Sequence, residues 1–237
     1  MKTPSSLLRI TGNAAWFALC LVTVWHFRIH VSSLLAQAAH PQNEALAEAS
    51  RARLPKDDAF ATKLSHAALD RTKHVVRYDG AYLKIPYPNG DVPEDTGVCT
   101  DEIIRAYRTH GVDLQKLVHE DMARNFSAYP HEWGLNKPDA NIDHRRVPNL
   151  QTYFKRHGTS LPVTNKPDDY LPGDLITCTV PPHLPHIGIV VPSPNGGETP
   201  WVVHNIGQGP QLEDRLFEFP LTGHYRYAPR ASQQVQQ

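Results

Sequence analysis

The chain has 237 residues with 24 basic and 24 acidic side chains and no Lys/Arg block, which argues against a nucleic-acid backbone as its main partner. That length suits one domain of ordinary size with a short appendage. Its 14 histidines are scattered rather than paired, so they carry no metal signature of their own.

Taken in chain order, the first segment pairs Lys2 and Arg9 with an apolar run from Ala14 to Trp25, and Ala36-Gln37-Ala38 offers the small residues of a cleavage site. Residues 1–38 are therefore expected to be a signal peptide, or an N-terminal membrane anchor if cleavage fails. Cys20 falls within the apolar run. Residues 39–58 are assigned to a linker whose Ala- and Glu-rich part could be helical, 59–229 to the domain, and 230–237 to a disordered tail.

Asp57-Asp58 caps a helix expected to reach about Val75, and Tyr78 to Thr96 reads as a long loop. The next helix starts at Cys99, carries Ile103, Ile104 and Tyr107 on one face and stops at Gly111; another runs from Asp113 to about Asn125. Val147 to Gly158 predicts a further helix with Pro148 near its start and Gly158 at its end. From Gly173 onward the pattern changes to strands: Asp174–Val180, His186–Val191, Pro200–Ile206, Leu212–Phe217 and His224–Tyr227, separated by Pro/Gly/Asn turns. Helices followed by antiparallel strands define an α+β domain.

Cys99 stands where a Pro/Gly/Asp-rich loop becomes a helix, and the unpaired amides and dipole of a helix start favour thiolate, which predicts an acidic thiol. His186, His204 and Asn205 follow as base and orienting candidates. The competing structural reading is a disulfide between Cys99 and Cys178, the pair left once the N-terminal segment is removed. A zinc cluster of His183, His186, His204 and Cys99 is the metal-based competitor. Arg145 and Arg146 are candidates for gripping a substrate carboxylate, the alternative being a local Asp/Arg network around Asp143. Tyr78, Tyr82, Tyr87 and Trp133 are candidates for lining a groove, the alternative being aromatic cover over the core.

A helix-start cysteine, the strand entry Gly173-Asp174-Leu175, then His186-Ile187-Gly188-Ile189-Val190 and a strand with His204 near its end resemble, in that order, the NlpC-type cell-wall cysteine peptidases. More closely, Gly97-Val98-Cys99-Thr100-Asp101, Asn141 to Leu150, His204-Asn205-Ile206-Gly207 and Thr222 to Tyr227 resemble the bacterial domain-of-unknown-function family 1287, over roughly Ala59 to Pro229. The resemblance implies a papain-like fold, with N-terminal helices packed on a C-terminal antiparallel sheet. It also implies Cys99 as nucleophile, His186 as general base and His204 as the residue that orients the imidazole.

Strand alternation places His204 and Asn205 on opposite faces without choosing between them, and the resemblance favours His204. The expected activity is hydrolysis of an amide bond in peptidoglycan or an envelope peptide, without a cofactor, in the periplasm or cell envelope of a bacterium. Arg145, Arg146, Tyr78 and Tyr87 are the expected substrate-binding residues. Membrane contact would come only through the N-terminal segment, if it is uncleaved. A noncatalytic envelope-binding module with Cys99 bridged or inert is the alternative from another class.

Overall fold

Apolar residues at helical spacing in the first half of the domain and runs of β-branched residues in the second produce helices first and a sheet last, as expected for α+β. The computed structural model describes residues 42–230; the expected N-terminal segment 1–38 and residues 231–237 lie outside them. Among the described residues no helix is long and apolar enough to cross a membrane.

Helix α1 (42–51) corrects the expected linker. Ala47 is fully buried in the main core, Asn43 Nδ2 donates to the Pro210 carbonyl at 3.1 Å while its Oδ1 accepts from Leu212 N at 3.0 Å, and Ser50 Oγ donates to Pro192 O at 2.6 Å. An Ala-rich stretch becomes an integral helix because the sheet offers it a surface to bury against.

Helix α2 (Phe60–Arg71) follows, shorter at its end than the pattern predicts. The loop after it is not wholly irregular: β1 (Arg77–Tyr78) and β2 (Thr96–Gly97) form a parallel pair. Strands of two residues have no periodicity to read in the sequence.

Helix α3 (Cys99–Arg108) begins where Asp101, in its first turn, reaches back to accept the Val98 N–H at 2.7 Å, which satisfies one of the orphan donors of a helix start. It buries Ile103, Ile104 and Tyr107, and Gly111 takes the left-handed φ of 71° that the stop requires. Helix α4 (Leu114–Arg124) is capped by Asp113, which accepts from Lys116 N. Helix α5 (Val147–His157) carries Pro148 in its first turn. Gly158 ends it for a reason other than φ: a Cβ there would sit 2.8 Å from the Arg226 carbonyl and 2.9 Å from that of Phe154.

The sheet comprises β3 (Thr159–Leu161), β4 (Leu175–Val180), β5 (Leu184–Val191), β6 (Trp201–His204), β7 (Gln211–Glu213) and β8 (Leu221–Arg226), in the order β3-β8-β4-β5-β6-β7 with every pair antiparallel. β7 stops at Glu213, short of the expected Phe217, and Leu216 and Phe217 fold back onto the sheet. Both faces are covered. Leu175, Ile187, Ile189, Val203, Leu212 and Tyr225 meet the helices, whereas Ile176, Val190 and Val202 pack with Tyr170 and Leu216 on the other side. Each fully buried Ile or Val contributes about 1.5–3 kcal/mol, so β5, buried from His186 to Val191, is the anchor of the domain.

Candidate functional site

Cys99 is the first residue of α3, and α3 packs on β5. The backbone N–H groups of Ile187 on β5 and of Thr100 lie near the thiol and favour its ionised form, and the Tyr78 hydroxyl lies against it. Both Cys99 and Cys178 are free and buried. The expected acidic thiol is corrected here. Burial pushes the Cys99 thiol up to about 12, and the Asp101 carboxylate adds to the rise; the two N–H groups oppose it and lose. The carboxylate that caps the helix thus works against the thiolate that the helix start favours, and desolvation outweighs the dipole.

On the sheet, His186 lies opposite Cys178 in the β4/β5 register, and its Nε2 sits 2.8 Å from Nδ1 of His204 on β6. His204 Nε2 in turn lies 2.9 Å from Glu213 Oε2 on β7, and the other oxygen of Glu213 is 3.0 Å from Arg215 Nε. A carboxylate only accepts, so His204 donates from Nε2, and in the neutral ring that leaves Nδ1 as an acceptor. His186 then donates from Nε2, and its own Nδ1, which makes no hydrogen bond among the described residues, carries the lone pair. The His186 pKa is pushed down to about 3, by burial and then by His204. That of Glu213 is lowered: burial raises it, but the bonds to His204 and the charge of Arg215 prevail. Asn205 is turned away, its Oδ1 accepting from Gly207 N at 3.1 Å.

No direct hydrogen bond joins Cys99 to His186 among the described residues; the β5 amide that lies near the thiol is that of the next residue, Ile187. Beside it opens a cleft of about 240 Å³ whose lining includes Tyr78, Cys99, Trp133, Arg145, Arg146 and Pro185.

The two arginines separate sharply. Arg145 is corrected from substrate ligand to internal brace: its Nε and Nη2 bond both oxygens of Asp101 at 2.8 and 3.0 Å, and its Nη1 donates to Ala81 O at 3.0 Å. Arg146 lies 4.1 Å over the Trp133 ring, with no hydrogen-bond or ion-pair partner among the described residues. Burial lowers its pKa from the usual arginine value, against the pull of Asp143 and Asp139. Tyr78 is half-exposed in the cleft, and burial, followed by the neighbouring Cys99, raises its hydroxyl to about 12. Tyr87 is corrected as well: it lies outside the cleft, set edge-on to His119 with ring centroids 5.1 Å apart. Tyr82 donates to Asp139 at 2.9 Å and lies outside the cleft too.

Among the described residues no three His, Cys, Asp or Glu side chains converge on a position that could hold a metal ion, so the grouping of His183, His186, His204 and Cys99 does not assemble. Glu213 is the site residue that sequence reasoning missed. It sits on a strand of three residues, and only the β6/β7 register, which pairs His204 with Gln211, brings it to the imidazole.

The family described as "Domain of unknown function (DUF1287)" matches residues 65–227. The chain belongs to that family. It is 54% identical over 150 residues, covering 63% of this chain and 73% of the relative, to a protein of Escherichia coli (strain K12) named "Uncharacterized protein YijF". No solved structure matches the chain.

Proposed function

We propose that this member of the DUF1287 family is an exported cysteine hydrolase of papain-like, NlpC-related type that cleaves an amide bond in peptidoglycan or an envelope peptide. The observation that carries the reading is a buried thiol at the start of α3, packed on the strand that carries an imidazole whose Nδ1 makes no hydrogen bond among the described residues.

At rest both partners are neutral, since burial raises the thiol and lowers the imidazole. The reaction is therefore general-base catalysis rather than attack by a preformed thiolate–imidazolium pair. As Cys99 Sγ bonds to the substrate carbonyl carbon, the thiol proton passes to His186 Nδ1. His186 then gives that proton to the leaving nitrogen as the C–N bond breaks. Water attacks the thioester next, passing one proton to His186 Nδ1, and the thiolate leaves and recovers it. The Cys99 backbone amide at the helix start is the first donor to the oxyanion, a contact of the kind worth about 3 kcal/mol. Arg146, stacked on Trp133 and without a hydrogen-bond partner, selects a substrate carrying a carboxylate near the scissile bond. The apolar N-terminal run and its small-residue cleavage pattern underlie the assignment to the periplasm or envelope.

Burial of an un-ionised thiol favours one other reading, a noncatalytic envelope-binding module. Incubating the full chain and Cys99→Ser with purified peptidoglycan, and reading new amino termini by mass spectrometry, separates the two. The hydrolase reading expects soluble peptide release that the Ser variant lacks, a loss of about 10³-fold or more. Equal retention on the polymer by both chains with no release would establish the binding module instead.

A further inference from the structure

A hydrogen bond between two neutral imidazoles has no direction of its own: either ring can donate, and the choice decides which nitrogen of the other is left bare. For His186 this matters more than the distance. If His204 donated from Nδ1, His186 Nε2 would be the acceptor, the proton of His186 would sit on Nδ1, and no lone pair would be available for a thiol. The directing group is on the neighbouring strand. Glu213 Oε2 lies 2.9 Å from His204 Nε2, and Arg215 holds Oε1 at 3.0 Å, so both carboxylate oxygens have partners. His204 is 97% buried, with 3% of its side chain exposed, and no other carboxylate bonds to it among the described residues.

We propose that Glu213 is a positioning residue that fixes the tautomers of His204 and His186 and thereby makes His186 Nδ1 the base for Cys99. The chain of cause is one-way: Glu213 accepts from His204 Nε2, His204 Nδ1 accepts from His186 Nε2, and His186 Nδ1 is left unprotonated. Glu213 touches neither thiol nor substrate in this role; it acts only through the two rings. The inference rests on the Cys99/His186 reading of the site, but its first readout needs no substrate.

The test uses the ¹⁵N-labelled full chain, with long-range proton–nitrogen spectra to read the histidine tautomers. Iodoacetamide serves as the thiol probe, with labelling at Cys99 separated from Cys178 and Cys20 by peptide mass spectrometry. In the unaltered chain, His186 and His204 are expected to be protonated on Nε2. Glu213→Leu, which offers no acceptor, and Glu213→Gln, which can donate as well as accept, should move part of His186 to the Nδ1-protonated form. They should also slow Cys99 alkylation about tenfold or more, as a wrong tautomer does in other nucleophile–histidine sites. Glu213→Asp should restore the tautomer and part of the rate.

Either His186 protonated on Nδ1 in the unaltered chain, or both variants leaving the tautomer and alkylation rate unchanged, would overturn the assignment. A lower melting temperature with unchanged tautomers would overturn it as well, since Glu213 would then be merely structural. Tautomer control with no amide cleavage would leave Glu213 in place and remove the hydrolase reading.

Discussion

One face of the sheet carries two histidine–carboxylate contacts, His204 with Glu213 near one edge and His224 with Asp174 towards the other, and they are built to opposite ends. Asp174 is fully buried and clamped: it accepts from His224 Nε2 at 2.8 Å, Arg226 Nη2 at 2.8 Å and Leu171 N at 2.9 Å. The second nitrogen of His224 faces the Pro162 carbonyl, and the ring stacks on Tyr170 at 4.3 Å between centroids. Both oxygens of Asp174 and the Nε2 of His224 are answered within that cluster. In the His204 cluster the series ends on His186 Nδ1, which is unanswered among the described residues. A histidine–carboxylate pair is thus no sign of chemistry; what distinguishes the two is whether the series of hydrogen bonds closes on itself or ends on an open ring nitrogen.

The largest test of that contrast exchanges the two histidines for alanine. His186→Ala should lower Cys99 alkylation and any amide cleavage by about 10²-fold or more, the usual contribution of a general base, while changing the melting temperature little. His224→Ala should do the reverse, leaving Asp174 without one of its buried partners at a cost of about 1.5–3 kcal/mol in chemical denaturation, with alkylation unchanged. Equal effects of the two variants on alkylation would erase the distinction.

A tenfold effect is expected from the neighbouring arginines, which repeat the contrast on a smaller scale. Arg146→Gln should raise the apparent Michaelis constant for a carboxylate-bearing peptide by about tenfold or more, as loss of a charge-assisted contact of about 1.5–3 kcal/mol predicts, with unchanged stability. Arg145→Gln should instead lower the urea midpoint, because Asp101 would be left buried without its bidentate partner. A raised Michaelis constant in the Arg145 variant alone would reverse the assignment.

The smallest effect is read in the pH dependence of stability. His186 and His144 are both pushed down to about 3 by burial, so between about pH 6.5 and 3 the unfolded chain takes up protons that the folded chain does not. Stability is therefore full above that window and falls as pH drops through it, by about 1.4 kcal/mol per pH unit for each histidine. Asp174 behaves differently. Burial raises its pKa, but the bonds from Arg226 and His224 outweigh burial and hold it below the usual carboxylate value, so its contribution is retained until the pH falls below the usual carboxylate range. Urea midpoints from pH 7 to 4 should lose part of their slope in His186→Phe and keep that slope in Asp174→Asn. A slope untouched by the His186 variant would show that this histidine is not held neutral.

Chain-local physics determined much of this protein before any packing was known. Amphipathic spacing with cap residues placed α3, α4 and α5, and β-branched runs placed β4, β5 and β6, because these signals are carried by neighbours in sequence. The order of Cys99, His186 and His204 was legible for the same reason, and alternation along β6 already separated His204 from Asn205. Tertiary structure decided what depends on distant partners. The β5/β6 register turned His204 rather than Asn205 towards His186, and a strand of three residues delivered Glu213. Asp101, close in sequence to Cys99, joined Arg145, far from it, and so left Arg146 as the cation in the cleft. The thiol's ionisation was decided in the same way: a helix start acts through the first turn alone, whereas desolvation sums over everything packed around the sulfur, and here the sum is larger.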